Sequence, residues 1–406
     1  MKVVYRCCCG VDVHKKSIVA CLKKGNKQEL RTFGTNTCEI KEMANWLIKS
    51  KCEMIAMEST GVYWKPLYNI LEIMGLEAIV VNASHMKALP GRKTDVKDAE
   101  WIADLLKHGL LKASYIPDRQ QRELREIARY RKSLIEERAR ELNRLQKVLE
   151  GANIKLDYAI TDIKGKSARR LLDLIIADKE LNSAKVGQIL HGRIRPKLDQ
   201  VMKSIEGVIT PLQGKLLAQI LDHIDDMTRR ITDMDDLIKE HTAQYEKEIE
   251  ALDDIPGIAR RGAEVILAEI GVDMNRFPSA AHLCSWSGMC PGNHESAGKK
   301  TSGKTRKGNQ TLKSILIQCA KAAKNKKDSY FSAQYYRIAA RRGKNRATVA
   351  VAHSILIAIY HMLKEGIKFK DLGSDYYNRF NIENKINSYL KKLSSLGWKN
   401  PAIDVI

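Results

Sequence analysis

Seven apolar residues, Leu217, Ile220, Ile224, Met227, Ile231, Met234 and Ile238, alternate spacings of three and four through three heptads. That period fits no strand. It draws a narrow stripe along one helix and requires a second helix to cover it. A stretch upstream has the same need: from about Gln120 to Leu156 the chain is dense in Arg and Glu, with Leu124, Ile127, Leu134, Leu142, Leu145 and Leu149 along an amphipathic face. Two arrangements stay open, an antiparallel hairpin inside one chain and an interface between two chains. In either, residues 116–250 read as a helical coiled-coil segment that separates two other parts, with shorter helices over 157–210.

The N-terminal part reads with a period of two. Residues 5–13, 17–24 and 28–34 are expected as three strands, the last two joined at Gly25-Asn26, a hairpin signal. Helical periodicity over 39–50 and 62–74 alternates with short apolar strands at 52–58 and 76–82, and Gly75 closes the second helix. After a loop with Pro90 and Gly91, a helix over 95–108 stops at Gly109. The order β-β-β-α-β-α-β-α predicts a mixed α/β sheet with helices on both faces over residues 1–115.

From Leu252 onward Gly and Pro return. An Ile255-Pro256-Gly257-Ile258 turn precedes a helix to Ile270, and helical runs over 310–327 and 345–364 follow a loop-rich stretch from His282 to Asn309. Residues 251–365 are expected as a mostly α domain and 366–406 as a polar tail. The turn resembles that of helix-hairpin-helix modules, whose amides can hold a phosphate; a turn that simply starts a core helix is the alternative.

With 44% apolar and 29% charged residues the chain is not of the disordered class. No window of 18 uninterrupted apolar residues occurs, and the N-terminus lacks a signal-peptide pattern, so a cytoplasmic protein without a membrane partner is expected. Nine cysteines, an odd number without a C-x-x-C pair, point to reduced core thiols rather than a disulfide framework or a zinc site. The formal net charge is +22, and it is unevenly spread: residues 299–346 hold 15 Lys and Arg against the single acid Asp328, a net +14 over 48 residues. Such a face suits a polyanion. Lys299, Lys300, Lys304, Arg306 and Lys307 lead it as candidate nucleic-acid contacts.

Four acids in the N-terminal domain stand at places the topology makes meaningful. Asp12 lies on the first strand, Glu58 ends the next buried strand at the carboxyl edge of the sheet, and Asp95 and Asp98 share a helix face. If they converge, their repulsion calls for divalent cations, and oxygen-only donors suit Mg²⁺ or Mn²⁺ in phosphoryl transfer. Singly, each reads as a solvated or capping residue. His14 and His85 are taken as neighbours of the site or core residues, not ligands.

VDVHK around Asp12, MESTGVYW after Glu58, VVNASHMK, and KTDVKDAEWIADLL around Asp95 and Asp98 resemble the D-E-D-D transposases of insertion sequences that carry a RuvC-like, RNase H-type domain. DIPGIARRGAEVILAEIG and SWSGMCPGNHESAGKKTSGKTRKGNQTLKSILIQCA resemble that family's second, transposase-specific domain. The resemblance implies an RNase H-like catalytic domain over 1–115 and a C-terminal transposase domain over 251–365. It implies a DNA recombinase similar to the pilin-gene invertases, acting on donor and target DNA and guided by a noncoding bridge RNA. It also implies a Mg²⁺ site of Asp12, Glu58, Asp95 and Asp98, and a serine nucleophile that becomes linked to DNA phosphate. By motif position that serine is Ser296, in the Ser-Ala-Gly after the Gly288-to-Pro291 stretch; Ser302-Gly303 is the rival, and Ser285 and Ser287 precede the proline.

Because two duplexes must be cut and exchanged, a homodimer or homotetramer is expected. Two other functions fit the residues. One is a Holliday-junction resolvase or nuclease that uses activated water, with Ser296 a turn residue; the other is a non-catalytic nucleic-acid-binding protein.

Overall fold

The structure, a computed structural model, describes residues 3–59, 61–82, 98–177, 181–292, 294–296, 299–302, 304–379 and 382–398. It divides into two units, Met1–Pro117 and Asp118–Ile406.

In the first unit, strands β1 (Cys7–Val13), β2 (Ser17–Lys24), β3 (Lys27–Gly34), β4 (Met54–Glu58) and β5 (Ala78–Val81) form one sheet in the order β3-β2-β1-β4-β5. The first three pair antiparallel, and β1–β4 and β4–β5 pair parallel, so the sheet is mixed as its sequence predicts. Alternation decides the two faces. Cys7, Cys9, Val11 and Val13 pack with Ile55 and Met57 against Met43 and Leu47 of α1 (Thr37–Lys49) and Leu67 and Leu71 of α2 (Trp64–Ile73). On the opposite face Cys8, Ala56 and Val81 meet Ile102 and Leu106 of α3 (Asp98–Lys107). The strands start later than the apolar runs suggest, since β1 begins at Cys7 and β4 at Met54. Residues 95–97 of the expected third helix lie outside the described residues.

Helix α3 lies directly on the sheet because residue 10 has no side chain. A Cβ on Gly10 would sit 2.3 Å from both the Ala103 nitrogen and the Ala99 oxygen. Both are helix backbone, so relief requires moving the whole helix.

In the second unit, α4 (Arg119–Gly151) starts at Asp118, whose side chain accepts from Gln121 N. After short helices α5 (Leu156–Ala159), α6 (Lys166–Ile176), α7 (Ser183–Ile189) and α8 (Leu198–Ser204), α9 (Pro211–Thr242) begins with a Thr210–Gln213 capping box. Helices α4 and α9 form an antiparallel hairpin within the chain. Leu124 and Ala128 cluster with Ile238 at one end; Leu145 and Leu149 cluster with Leu217, Ile220, Leu221, Ile224 and Met227 at the other. The heptad stripe is therefore covered inside the chain, and of its members only Met234 is left half-buried. Ala168, Leu171, Leu172, Val186 and Val201 of the short helices complete the core at the far end.

The remainder comprises α10 (Glu246–Asp253), α11 (Arg260–Ile270), α12 (Ala280–Trp286), the strands β6 (His294–Ser296) and β7 (Lys299–Ser302), α13 (Gln310–Ala323), α14 (Tyr330–Arg342) and α15 (Lys344–Glu365). The turn at Ile255–Ile258 is seated on α13. Ile255, Pro256 and Ile258 are buried, and Gly257, at φ +90°, lies so close to α13 that a Cβ would be 2.3 Å from the Cys319 oxygen. The turn's apolar side chains are thus part of this unit's core. Helix α15 is long and apolar enough to cross a membrane by composition, yet Val351, Ile355, Leu356 and Ile359 are fully buried within this unit.

The stretch read as a polar tail carries two more helices, α16 (Tyr376–Arg379) and α17 (Ile382–Ser395). Ile382, Ile386, Tyr389, Leu393 and Leu396 recur there at spacings of four and three, and all five are exposed. All nine cysteines are free thiols. Burial pushes Cys8 and Cys319 up to about 11 and Cys52 and Cys284 up to about 12, which keeps them protonated and unreactive.

Gly10→Ala is expected to lower stability by about 3 kcal/mol, the upper range for overpacking because backbone must yield. The denaturant midpoint of the first unit's transition measures it; an unchanged midpoint would show that α3 does not rest on β1.

Candidate functional site

Asp12, Glu58 and Asp98 reach one edge of the first sheet for separate reasons. Register pairs Val11 with Met57 across β1 and β4, so Asp12 and Glu58 each follow one step later. By alternation both belong to the face of Cys8 and Ala56, the one α3 covers. Helix α3 runs antiparallel to β1: Val4 N donates to the Lys107 oxygen at 2.8 Å, while Ala99 lies over Gly10. Its first residue, Asp98, therefore lies toward the Asp12 end of the strand.

Asp12 and Glu58 are half-buried, as is Asp98. His14 Nε2 lies 3.0 Å from Asp12 Oδ2, so the histidine is a neighbour of the acid, as its sequence position suggests. Asp95 and His85 lie outside the described residues. Among the described residues, no group of three or more His, Cys, Asp and Glu side chains is placed to hold a metal ion. The donor chemistry nonetheless fits a hard cation: adjacent strands bring two carboxylates to one face, and oxygen is the donor that Mg²⁺ and Mn²⁺ take.

The second candidate lies in the other unit. Where its sequence suggests a Gly-rich loop, β6 and β7 form an antiparallel ribbon, with Ser296 paired to Lys299, Glu295 to Lys300 and His294 to Ser302. Ser296 is thus the last residue of β6 and pairs across the ribbon with the first residue of β7. The ribbon continues below these strands: Gly292 N donates to the Lys304 oxygen at 2.8 Å, Pro291 bridges Thr305, and Arg306 N donates to the Cys290 oxygen at 3.3 Å. Lys304, Arg306 and Lys307 are exposed along its returning leg. Of the other serines, Ser287 is fully buried and donates to the Cys284 oxygen at 2.9 Å, which removes it as a nucleophile, whereas Ser285 is exposed.

Two glycines close the base. Gly288 holds φ +73°, and a Cβ on Gly308 would lie 2.4 Å from the Gly288 nitrogen. No other residue permits that approach.

Behind the ribbon is a network that the sequence reading missed. Glu269 of α11 is fully buried, and Arg129 of α4 grips both its oxygens at 2.8 Å. Arg125 lies 3.6 Å from the same carboxylate, and Asn309 donates to it at 2.5 Å. The pairing with Glu269 raises the Arg129 pKa above its ordinary value. One turn and a half away, Glu264 is also buried and accepts from Arg260 at 3.1 Å and Arg261 at 2.8 Å. A signal existed: two carboxylates lie inside the apolar run GAEVILAEI, and buried acids need cations, which the Arg-dense α4 supplies to Glu269 and the first turn of α11 to Glu264.

Comparison with known proteins decides the family. A transposase model, the DEDD transposase domain of IS110, matches residues 9–154, and a model of the transposase IS116/IS110/IS902 family matches residues 249–336. The chain belongs to the IS110-family transposases. The transposase is 26% identical over 302 residues to the insertion element IS110 uncharacterized 43.6 kDa protein of Streptomyces coelicolor, covering 68% of this chain and 72% of that one. It is 25% identical to the putative transposase y4qE of Sinorhizobium fredii, over 77% of this chain and 70% of the relative. It is 21% identical to the transposase for insertion sequence element IS1328 of Yersinia enterocolitica, over 77% and 82%. DNA transposition is its function, and DNA its partner. The two matched segments contain the acids and the ribbon respectively.

Arg129→Leu is expected to cost the transposase about 3 kcal/mol, because it leaves a buried carboxylate short of its cation. Arg119→Leu, which breaks an exposed pair with Glu123, is expected to cost under about 0.5 kcal/mol. Equal denaturant midpoints for the two variants would contradict the buried network.

Proposed function

We propose that this transposase is a serine-dependent DNA recombinase that cuts and exchanges donor and target strands, guided by a noncoding bridge RNA of its own element. Its N-terminal RNase H-like, RuvC-like domain spans 1–115, its coiled-coil segment 116–250 and its transposase domain 251–365. The sheet order β3-β2-β1-β4-β5, with three antiparallel strands followed by two parallel ones, supports the first of these. The observation that carries the serine assignment is the seat of Ser296 at the tip of a two-stranded ribbon whose returning leg carries the exposed Lys304, Arg306 and Lys307. A ribbon of this width fits the major groove of DNA.

In the reaction the Ser296 oxygen forms a bond to a backbone phosphorus, and the bond from phosphorus to a sugar oxygen breaks. The serine hydroxyl loses its proton, and the released sugar oxygen takes one up. The resulting phosphoserine keeps the energy of the broken link, so exchanged strands rejoin by the reverse step. Asp12, Glu58, Asp95 and Asp98 are the residues that would hold Mg²⁺ or Mn²⁺, which supplies electrostatic stabilisation of charge on the phosphoryl oxygens. Lys299, Lys300, Lys304, Arg306 and Lys307 neutralise backbone phosphates and hold the duplex in register. The enzyme acts in the cytoplasm as a homodimer or homotetramer, since two duplexes are cut together.

Ser296→Ala is expected to abolish the covalent protein–DNA adduct, seen on denaturing gels with duplexes spanning the element's ends. Unchanged strand cleavage in that variant would instead assign the chemistry to activated water. Asp12→Asn and Glu58→Gln should each lower recombination by at least about 100-fold, as should omission of Mg²⁺. Full activity in all three conditions would refute the acidic site. Replacing Lys304, Arg306 and Lys307 by Ala should flatten the dependence of log affinity on log salt by roughly 3.

A further inference from the structure

The ribbon leaves the protein through two short legs. One departs from α12 through Ser287 and Gly288, and the other enters α13 through Gly308 and Asn309. Two strands alone are marginal in water, so the direction of such a ribbon is set where its legs are held.

Lys313, one turn into α13, touches both legs. Its Nζ donates to the Gly288 oxygen at 3.3 Å and to Thr305 Oγ1. Asn309 caps α13 by accepting from Leu312 N at 3.1 Å, and the same side chain donates to Glu269 Oε2. Glu269 in turn is gripped by Arg129. One chain of polar contacts thus runs from the outgoing leg through Lys313 and the start of α13 to α11 and α4. From Thr305 to the tip is six residues, roughly 20 Å of strand. A tilt of about 10° at the base displaces the tip by roughly 3.5 Å, and about 1 Å of misplacement is enough to cost on the order of 100-fold in rate.

We propose that Lys313, backed by the Asn309–Glu269 contact, is a positioning residue that clamps both legs of the ribbon and fixes where its tip serine is presented. This rests on the assignment of Ser296 made above. Lys313 touches no DNA in this role, and its effect passes entirely through the ribbon base.

The test compares Lys313→Met, which keeps the aliphatic stem, with the wild-type full-length protein. Amide hydrogen exchange at Gly292 and Arg306, the cross-ribbon donors, is expected to accelerate about tenfold or more, with α11 and α15 unchanged. On a duplex spanning an end of the element, the single-turnover rate of adduct formation should fall by about 30-fold or more. Affinity for that duplex should change less than about threefold, and Lys313→Arg, which can still donate to both legs, should recover most of the rate.

Unchanged exchange at Gly292 and Arg306 overturns the clamp. So does faster exchange with an unchanged adduct rate, and so does a fall in affinity that matches the fall in rate, which would make Lys313 a DNA contact. Ser296→Ala, run alongside, separates the two readings. If that variant still forms the adduct, the serine assignment falls, and the exchange measurement alone decides the clamp.

Discussion

A carboxylate with no access to water governs the second unit. Glu269 has lost all hydration, and an ionised group in that position is tolerable only if donors surround it. Arg129 supplies a two-pronged grip, Asn309 a third donor, and Arg125 a second nearby charge. These donors come from α4 and the N-cap of α13 and the acid from α11, so satisfying one acid fixes α4, α11 and the start of α13 against one another. The net energy of such a cluster is small beside that of an apolar replacement, but its directional demands are strict. Apolar contacts tolerate sliding; a forked ion pair does not.

In the first unit geometry is set by the opposite means, the absence of atoms. Gly10 lets a helix backbone settle on a strand, and this brings the start of α3 to the edge where Asp12 and Glu58 emerge. The ribbon base uses the same device, with Gly288 and Gly308 in backbone contact. Both candidate groups therefore stand on elements held by close backbone approaches.

Much of this is legible in sequence, and the limits have physical causes. Period-two alternation over 5–34 gives the meander, and the position of Glu58 after an apolar strand gives its place at a sheet edge. The heptad stripe announces a helix that needs a partner. It cannot name that partner, because packing geometry is alike within and between chains; the structure assigns it to α4. The ribbon escaped because a stretch rich in Gly and Lys also suits a loop, and strands of 3 and 4 residues leave only a short alternating signal. Glu269 escaped because amphipathic reading treats a charge in an apolar run as a surface position. The stripe on α17 escaped because its apolar residues are diluted among Lys, Asn and Ser, although spacing alone shows it.

The same network constrains how the protein is made. Arg129 and Glu269 lie 140 residues apart, so at ordinary rates of synthesis roughly 7 to 28 seconds separate their emergence. Throughout that interval Arg129 lacks the Glu269 carboxylate that it grips in the folded protein. A fragment that stops before residue 269 lacks that carboxylate permanently. Truncations of the chain are therefore expected to gain nonspecific affinity for polyanions, and cuts meant to isolate the helical hairpin should retain α11.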